Sequence, residues 1–277
     1  FVEGMVLLRQ GDAEGALKLL AAAVQRVPDD LQLLHALGVV YLARGHLAFA
    51  EQAFRTIADR IPAATGVTLL VASVVARQGR SDEALDVLNP VLEDPERVTA
   101  GVRGLAGRLH LRAGRLEQAA PLLQAALVGG VQDRELLSSL LELWQRQGLA
   151  EKGRQALDAC LASGRSSSDL WLARLALEPI GSEGALTVTA RWEESMPGEV
   201  RALEARMSAL AHAGRAEDAD EVADRLVAVM PGHGGAQARK VNALVARDPD
   251  AAVSHVRSLL DRAPGNERRA MLLGWLG

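Results

Sequence analysis

Residues 31–64 read LQLLHALGVVYLARGHLAFAEQAFRTIADRIPAA. Leu34, Leu37, Gly38 and Tyr41 fall at helical spacing, Gly45 follows, then Ala50 and Phe54, and Pro62 stands near the end. The pattern continues outside this stretch. Gly11, Gly45, Gly79, Gly114 and Gly148 stand 34, 34, 35 and 34 residues apart, and Gly214 follows Gly148 by 66, close to two further periods. A fixed period of this size means one small supersecondary unit repeated along the chain. Looser copies carry Ala16 and Leu20, Ala84 and Leu88, Ala119 and Leu123, and Gly153 and Leu157 in the places of Ala50 and Phe54, and a further copy carries Ala219 in the place of Ala50 with Leu226 following.

Each position has a physical reading. A unit is two amphipathic helices. The small residues Gly38, Ala50, Gly107, Ala119 and Ala219 are expected where paired helices come closest. Tyr41, Phe54, Leu123, Trp144 and Leu157 are expected to fill the space between units. The periodic glycine ends the first helix in the left-handed conformation that a side chain resists. Asp12, Ser81 and Asp82 are expected to cap second helices. Pro28, Pro62, Pro197, Pro231 and Pro264 are expected to close them.

The composition agrees with helices: 49% of residues are hydrophobic and only 3% aromatic, much of the apolar content being the strong helix formers Ala and Leu. No stretch alternates with period two, so no sheet is expected. The apolar run 67–76 is too short to span a bilayer. Net charge is −4 with a single tyrosine, which argues against a nucleic-acid footprint. The excess of Arg over Lys reads as genome base composition. The lone Cys160 sits at a small, buried repeat position and has no partner for an internal disulfide. Both a cytoplasmic and a periplasmic location fit that usage.

The full pattern resembles the tetratricopeptide repeat, whose signature is W-x2-L-G-x2-Y, then A-x3-F, then P. In the best copy only the first Trp departs, replaced by Leu34. The resemblance covers essentially the whole chain and implies an all-α, right-handed α-solenoid of about eight helix-turn-helix units, of the bacterial multi-repeat type. The expected organisation is residues 1–165 as five repeats, 166–199 as a degenerate sixth, and 200–277 as repeats seven and eight with the start of a ninth at Glu267. Both ends fall within repeats, so the chain is expected to be part of a longer protein. The sixth repeat has Glu178-Pro179-Ile180-Gly181 in place of the periodic glycine. A short first helix and a hinge or junction are expected there.

Catalytic constellations are absent from the sequence, and no enzyme activity is expected. The six histidines form no helical pair with a glutamate partner, no Cys-x-x-Cys occurs, and no metal or cofactor is called for. Gly101, Gly104 and Gly107 are spaced unlike a dinucleotide loop and have no strand before them; they read as close helix packing. Ser166, Ser167 and Ser168 read as a loop, and Glu193 and Glu194 as solvated surface. Trp144 and Trp192 fall on packing positions.

The resemblance implies a protein or peptide partner held in a concave groove lined by the first helix of each unit. By repeat register His35, Val39 and Leu42 line the amino-terminal part, along with Phe1, Met5, Leu8, Leu69, Ser73 and Ala76. Arg108, Glu142 and Arg174 lie further along. Arg9, Arg77, Arg112 and Arg146 share one register position and are expected to form a column able to clamp carboxylates or phosphates. The dipole at a helix end favours a cation there without any ligand. Trp275 is a further groove candidate. The carboxylate clamp by which some family members hold chaperone tails is not expected: Phe1, Met5 and Ala36 stand at its places. Nucleic-acid binding and membrane insertion are not expected. Two other readings of the whole are a periplasmic scaffold of an exopolysaccharide or cell-envelope export machine, and a non-catalytic targeting arm of a transferase whose catalytic domain lies outside this chain.

Overall fold

The computed structural model describes residues 1–261, and among these are sixteen α-helices and no strand. Pro264, the ninth repeat from Glu267 and Trp275 lie outside the described residues. The chain divides into two compact units, Phe1–Leu149 and Ala150–Gly277.

In the first unit the hairpins are α1 (Val2–Arg9) with α2 (Ala13–Arg26), α3 (Leu31–Ala43) with α4 (Leu47–Arg60), α5 (Thr65–Arg77) with α6 (Ser81–Leu92), and α7 (Ala100–Arg112) with α8 (Leu116–Val128); α9 (Arg134–Gln147) follows. Helices α1 and α3, α5 and α7, and α7 and α9 also touch, so first helices stack on one another in these pairs. The second unit begins with α10 (Ala150–Ala162). It continues with α11 (Ser168–Leu175) and α12 (Glu183–Ser195), α13 (Val200–His212) and α14 (Ala216–Val229), and α15 (Gly234–Arg247) and α16 (Pro249–Asp261). Each unit is a stack of helix hairpins, the tetratricopeptide-type solenoid arrangement.

Small residues set the approach within a hairpin. A Cβ at Gly38 would fall 2.7 Å from the Phe54 ring, and one at Gly107 would fall 2.7 Å from Leu123 Cγ. Ala50, Ala119 and Ala219 are fully buried. Phe54, Leu123, Trp144 and Leu157 fill the core, whereas Tyr41 is only half-buried. Gly101, Gly104 and Gly107 all lie inside α7, where they admit Leu69, Ala126 and Leu123 as neighbours. The periodic glycines Gly11, Gly45, Gly79, Gly114, Gly148 and Gly214 have φ between 66° and 85°, and α2, α4, α12 and α14 end two residues before Pro28, Pro62, Pro197 and Pro231.

Capping follows a different rule from the one expected. Asp12 caps α2 by accepting from Gly15 N. Ser81 and Asp82, however, lie inside the first turn of α6, and its N-cap is Arg80, with no side-chain cap bond. Arg115 and Arg215 hold the same place before α8 and α14. Side-chain caps instead open first helices: Asp30 on α3, Thr99 on α7, Asp133 on α9, Ser167 on α11, Glu199 on α13 and His233 on α15. The residues before α6, α8 and α14 have ψ of 61° to 69° rather than an extended backbone, whereas Ser182, extended after Gly181, caps the second helix α12 by accepting from Ala185 N.

Neighbouring hairpins are pinned at the surface by arginine–carboxylate pairs about one repeat apart in sequence. The first unit has Arg44–Glu14, Arg60–Asp29 at 2.6 Å, Arg80–Glu51 at 2.8 Å and Arg115–Asp82 at 2.6 Å. The second has Arg191–Asp158 at 3.1 Å, Arg201–Asp169 at 3.0 Å and Arg225–Glu193. Glu193 is therefore an inter-repeat contact rather than merely solvated surface. The arginine excess has a structural use besides any compositional origin, because a guanidinium reaches two acceptors at once.

Candidate functional site

The four arginines of the shared register lie two residues before a left-handed glycine, each in the last turn of its helix: Arg9 in α1, Arg77 in α5, Arg112 in α7 and Arg146 in α9. All four are exposed. Because α5, α7 and α9 stack directly, Arg77, Arg112 and Arg146 stand on successive packed helices. Ala43 holds the place on α3, between Arg9 and Arg77.

Their electrostatic surroundings differ. Arg146 is bound to Glu142 on its own helix at 2.8 Å, so both of these groove candidates are partly satisfied by each other. Arg9, Arg77 and Arg112 have no ion pair or hydrogen-bonded side-chain partner among the described residues. That sets them apart from the arginines that pin the hairpins together.

The remaining candidates divide in the same way. Arg108 is mostly buried and lies 3.6 Å from Glu135 and 4.0 Å from Asp133 at the start of α9. Arg174 is only 8% exposed, and its guanidinium is taken up by Asp158 at 3.0 Å and Glu178 at 2.5 Å. It is a buried crosslink between α10 and the end of α11. His35 is exposed, with its ring 5.9 Å from that of Phe54. Val39 and Leu42 are half-buried against the core around Phe54 and Val75.

Residues of other suspected sites have structural roles. Ser167 caps α11 by accepting from Leu170 N, Ser166 accepts from Trp171 Nε1 at 2.9 Å, and Ser168 donates to Glu199. Burial pushes the Cys160 thiol up, away from the thiolate that reactivity needs. Burial, aided by the nearby Arg115, pushes His110 down. Among the described residues no helix is long and apolar enough to cross a membrane.

A second feature lies in the second unit. Helix α11 has 8 residues, where α3, α5, α7 and α13 have 13. Pro179 has no backbone N–H with which to continue the helical bonding, and it also disfavours a helical conformation at Glu178. The missing five residues correspond to about 7.5 Å of helix. The loop that replaces them ends at Gly181, whose φ is +70°, and a Cβ there would fall 2.8 Å from the His212 carbonyl. Gly181 and His212 both line an open cavity of about 690 Å³ among α11, the loop and α13. Its apolar lining includes Leu172, Leu175, Ile180 and Ala205, and its polar lining Glu178, Arg201, Glu204 and His212. The only sign of it in the sequence is the run from Glu178 to Gly181 where the repeat calls for a glycine alone.

Comparison with known proteins agrees with this architecture. Two models of the tetratricopeptide repeat match, over residues 7–74 and 69–135. No curated protein matches the chain. Among solved structures, one described as the functional characterization of Pseudomonas aeruginosa pilF aligns with TM-score 0.52 and 20% identity, covering 73% of this chain and 92% of that one. A chain of the APC/C hetero-tetramer Cut9-Hcn1 aligns with TM-score 0.50 and 16% identity over 85% of this chain. The present chain spans about half the length of that relative, 47% of it. At these identities the likeness is one of fold. Repeat period, hairpin packing and sequence match converge: residues 7–135 match the tetratricopeptide repeat, and the described residues share its fold.

Proposed function

We propose that this chain is a protein-interaction scaffold whose first unit holds an extended, acidic segment of a partner against Arg9, Arg77 and Arg112. The observation that carries this reading is selective pairing. Arginines at the hairpin junctions have carboxylate partners, while these three, exposed at one repeat register, have none among the described residues. An unpaired guanidinium keeps its fork free for a carboxylate or phosphate from outside. Arg146, lightly held by Glu142 on an exposed helix face, extends the row. Packed helices lie about 8–10 Å apart, and an extended chain advances about 3.3 Å per residue. Arg77, Arg112 and Arg146 therefore match acidic groups placed every third residue.

The helix dipole supplies a rival account of the same residues. It separates from the proposal by experiment. A synthetic peptide with glutamate at every third position is compared with its glutamine analogue, using the parent chain and a variant with Arg9, Arg77, Arg112 and Arg146 changed to Ala. The variant must keep the parent's helical circular dichroism. The expected result is binding of the glutamate peptide at least about tenfold tighter than the glutamine one, lost in the variant and weakened by salt. Equal affinities of parent and variant would assign the arginines to helix-end electrostatics.

A further inference from the structure

The cavity beside the shortened α11 belongs to the second unit, whereas the arginine register belongs to the first, and its chemistry is different. We infer that it receives a large apolar side chain of a peptide that carries a lysine or arginine beside it. This rests on the reading of the chain as a peptide-binding scaffold, but not on the arginine row.

The apolar part follows from shape. At about 690 Å³ the cavity has the size of a small-ligand pocket. Leu172 and Leu175 of α11 and Ala205 of α13 line it, and Ile180 stands 81% exposed on the loop. A leucine, methionine or phenylalanine entering here removes its own surface and part of this lining from water.

The cationic part follows from which charges are already spent. Arg201 is held by Asp169 at 3.0 Å, and Arg174 by Asp158 and Glu178. The lining therefore offers no free cation. Glu204 is different. Its Oε1 accepts from His233 Nε2 at 2.5 Å, while His233 Nδ1 accepts from Ala236 N at 3.0 Å. A ring nitrogen that accepts carries no proton, so His233 is the neutral tautomer and does not neutralise Glu204. The other carboxylate oxygen of Glu204 has no partner among the described residues. On the same wall His212 Nδ1 bonds the Ser208 carbonyl at 2.8 Å, which requires the proton on Nδ1 and leaves Nε2 an acceptor in the neutral ring. An apolar floor with acceptors and an uncompensated carboxylate on its wall suits an apolar residue next to a cation, and it disfavours the acidic segment proposed for the first unit.

The test uses the 277-residue chain and an array of short synthetic peptides. Each peptide places Leu, Met or Phe next to Arg, Lys, Gln or Glu, and the array also carries the peptide with glutamate at every third residue. The apolar–basic peptides are expected to be retained about tenfold better than their glutamate counterparts. Ser208→Trp, at an exposed position on the cavity wall, should abolish that retention and leave binding of the acidic peptide unchanged. Glu204→Lys should reverse the charge preference, a result that misfolding cannot produce. The inference is overturned if no apolar–basic peptide is retained, if retention ignores the neighbouring charge, or if it survives both substitutions. Loss of acidic-peptide binding alone in the arginine variant would bear on the first unit and leave this inference standing.

Discussion

Gly79 and Gly181 share a left-handed backbone, with φ of +84° and +70°, yet they answer to different constraints. Around Gly79 a Cβ would meet nothing within 4 Å, so Gly79→Ala meets only the backbone preference. It is expected to cost about 1 kcal/mol. At Gly181 the added methyl would strike the main chain of His212 and Ala213, which cannot rotate away. Gly181→Ala is expected to cost about 3 kcal/mol or more, because backbone strain and overpacking add. Urea unfolding of the two variants measures the difference; equal costs would mean that the α13 contact is dispensable. The left-handed requirement at Gly79 is legible in the periodic spacing. The contact of Gly181 with α13 is not, because it depends on where a non-repeating loop lands. Arg174 shows the same limit. Its register places it on a first helix, but the truncation of α11 and the nearby Asp158 and Glu178 turn it into a buried crosslink.

Among the helices, Glu51 of α4 ties together three turns of chain. It accepts from Arg55 on its own helix, from Gln78 at the end of α5, and from Arg80 before α6. Burial alone would push its carboxyl up, but the bonds from Gln78, Arg55 and Arg80 outweigh it and hold the group below the ordinary carboxylate range. A folded pKa below the unfolded one gives stability that is complete above the unfolded value and is lost as pH falls through the folded value. Glu51→Gln is therefore expected to lower stability near neutrality by about 1–2 kcal/mol. It should also flatten the acid limb of the stability profile, as read by thermal melts from pH 7 down to about 3. Pro121 gives a second element-scale test. It sits exposed in the interior of α8, and the helix runs through it. The rule that a proline closes a helix works at Pro28 and Pro62 and fails here. Pro121→Ala should stabilise the chain by about 1–3 kcal/mol, since it restores a helical hydrogen bond and removes a ring clash. An unchanged midpoint would mean that the helix has already absorbed the proline. Helix existence was legible nearly everywhere from apolar spacing. The caps were not, because Ser81 and Asp82 look like capping residues until the glycine turn is seen to leave them inside the helix.

At the scale of the whole chain, the repeat period fixes the architecture because every copy solves the same packing problem. It says less about binding, because the periodic residues are the packed ones. The surfaces proposed for partners lie either at positions the packing leaves free, as with Arg9, Arg77 and Arg112, or where the repeat fails, as at α11. The expected hinge over residues 166–199 remains a proposal with its own readout. Amides there should exchange faster than those of α8 and α14, and uniform protection across all three would refute it.

The arginine–carboxylate pairs between hairpins have a consequence for how the chain comes apart. In a stack where each hairpin contacts only its neighbours, the sharpness of unfolding reflects the coupling between hairpins more than the stability of each one. Part of that coupling here is ionic and solvent-facing, through pairs such as Arg60–Asp29 and Arg115–Asp82. Each such pair is worth at most about 1 kcal/mol and is screened by salt. Raising ionic strength should therefore leave the helices intact while loosening their agreement to melt together. A calorimetric transition that broadens in molar salt, with little change in helix content at low temperature, is the expected signature. A transition that stays equally sharp would place the coupling in the apolar contacts alone. In a chain built this way, dissolved salt would set how many hairpins open at once.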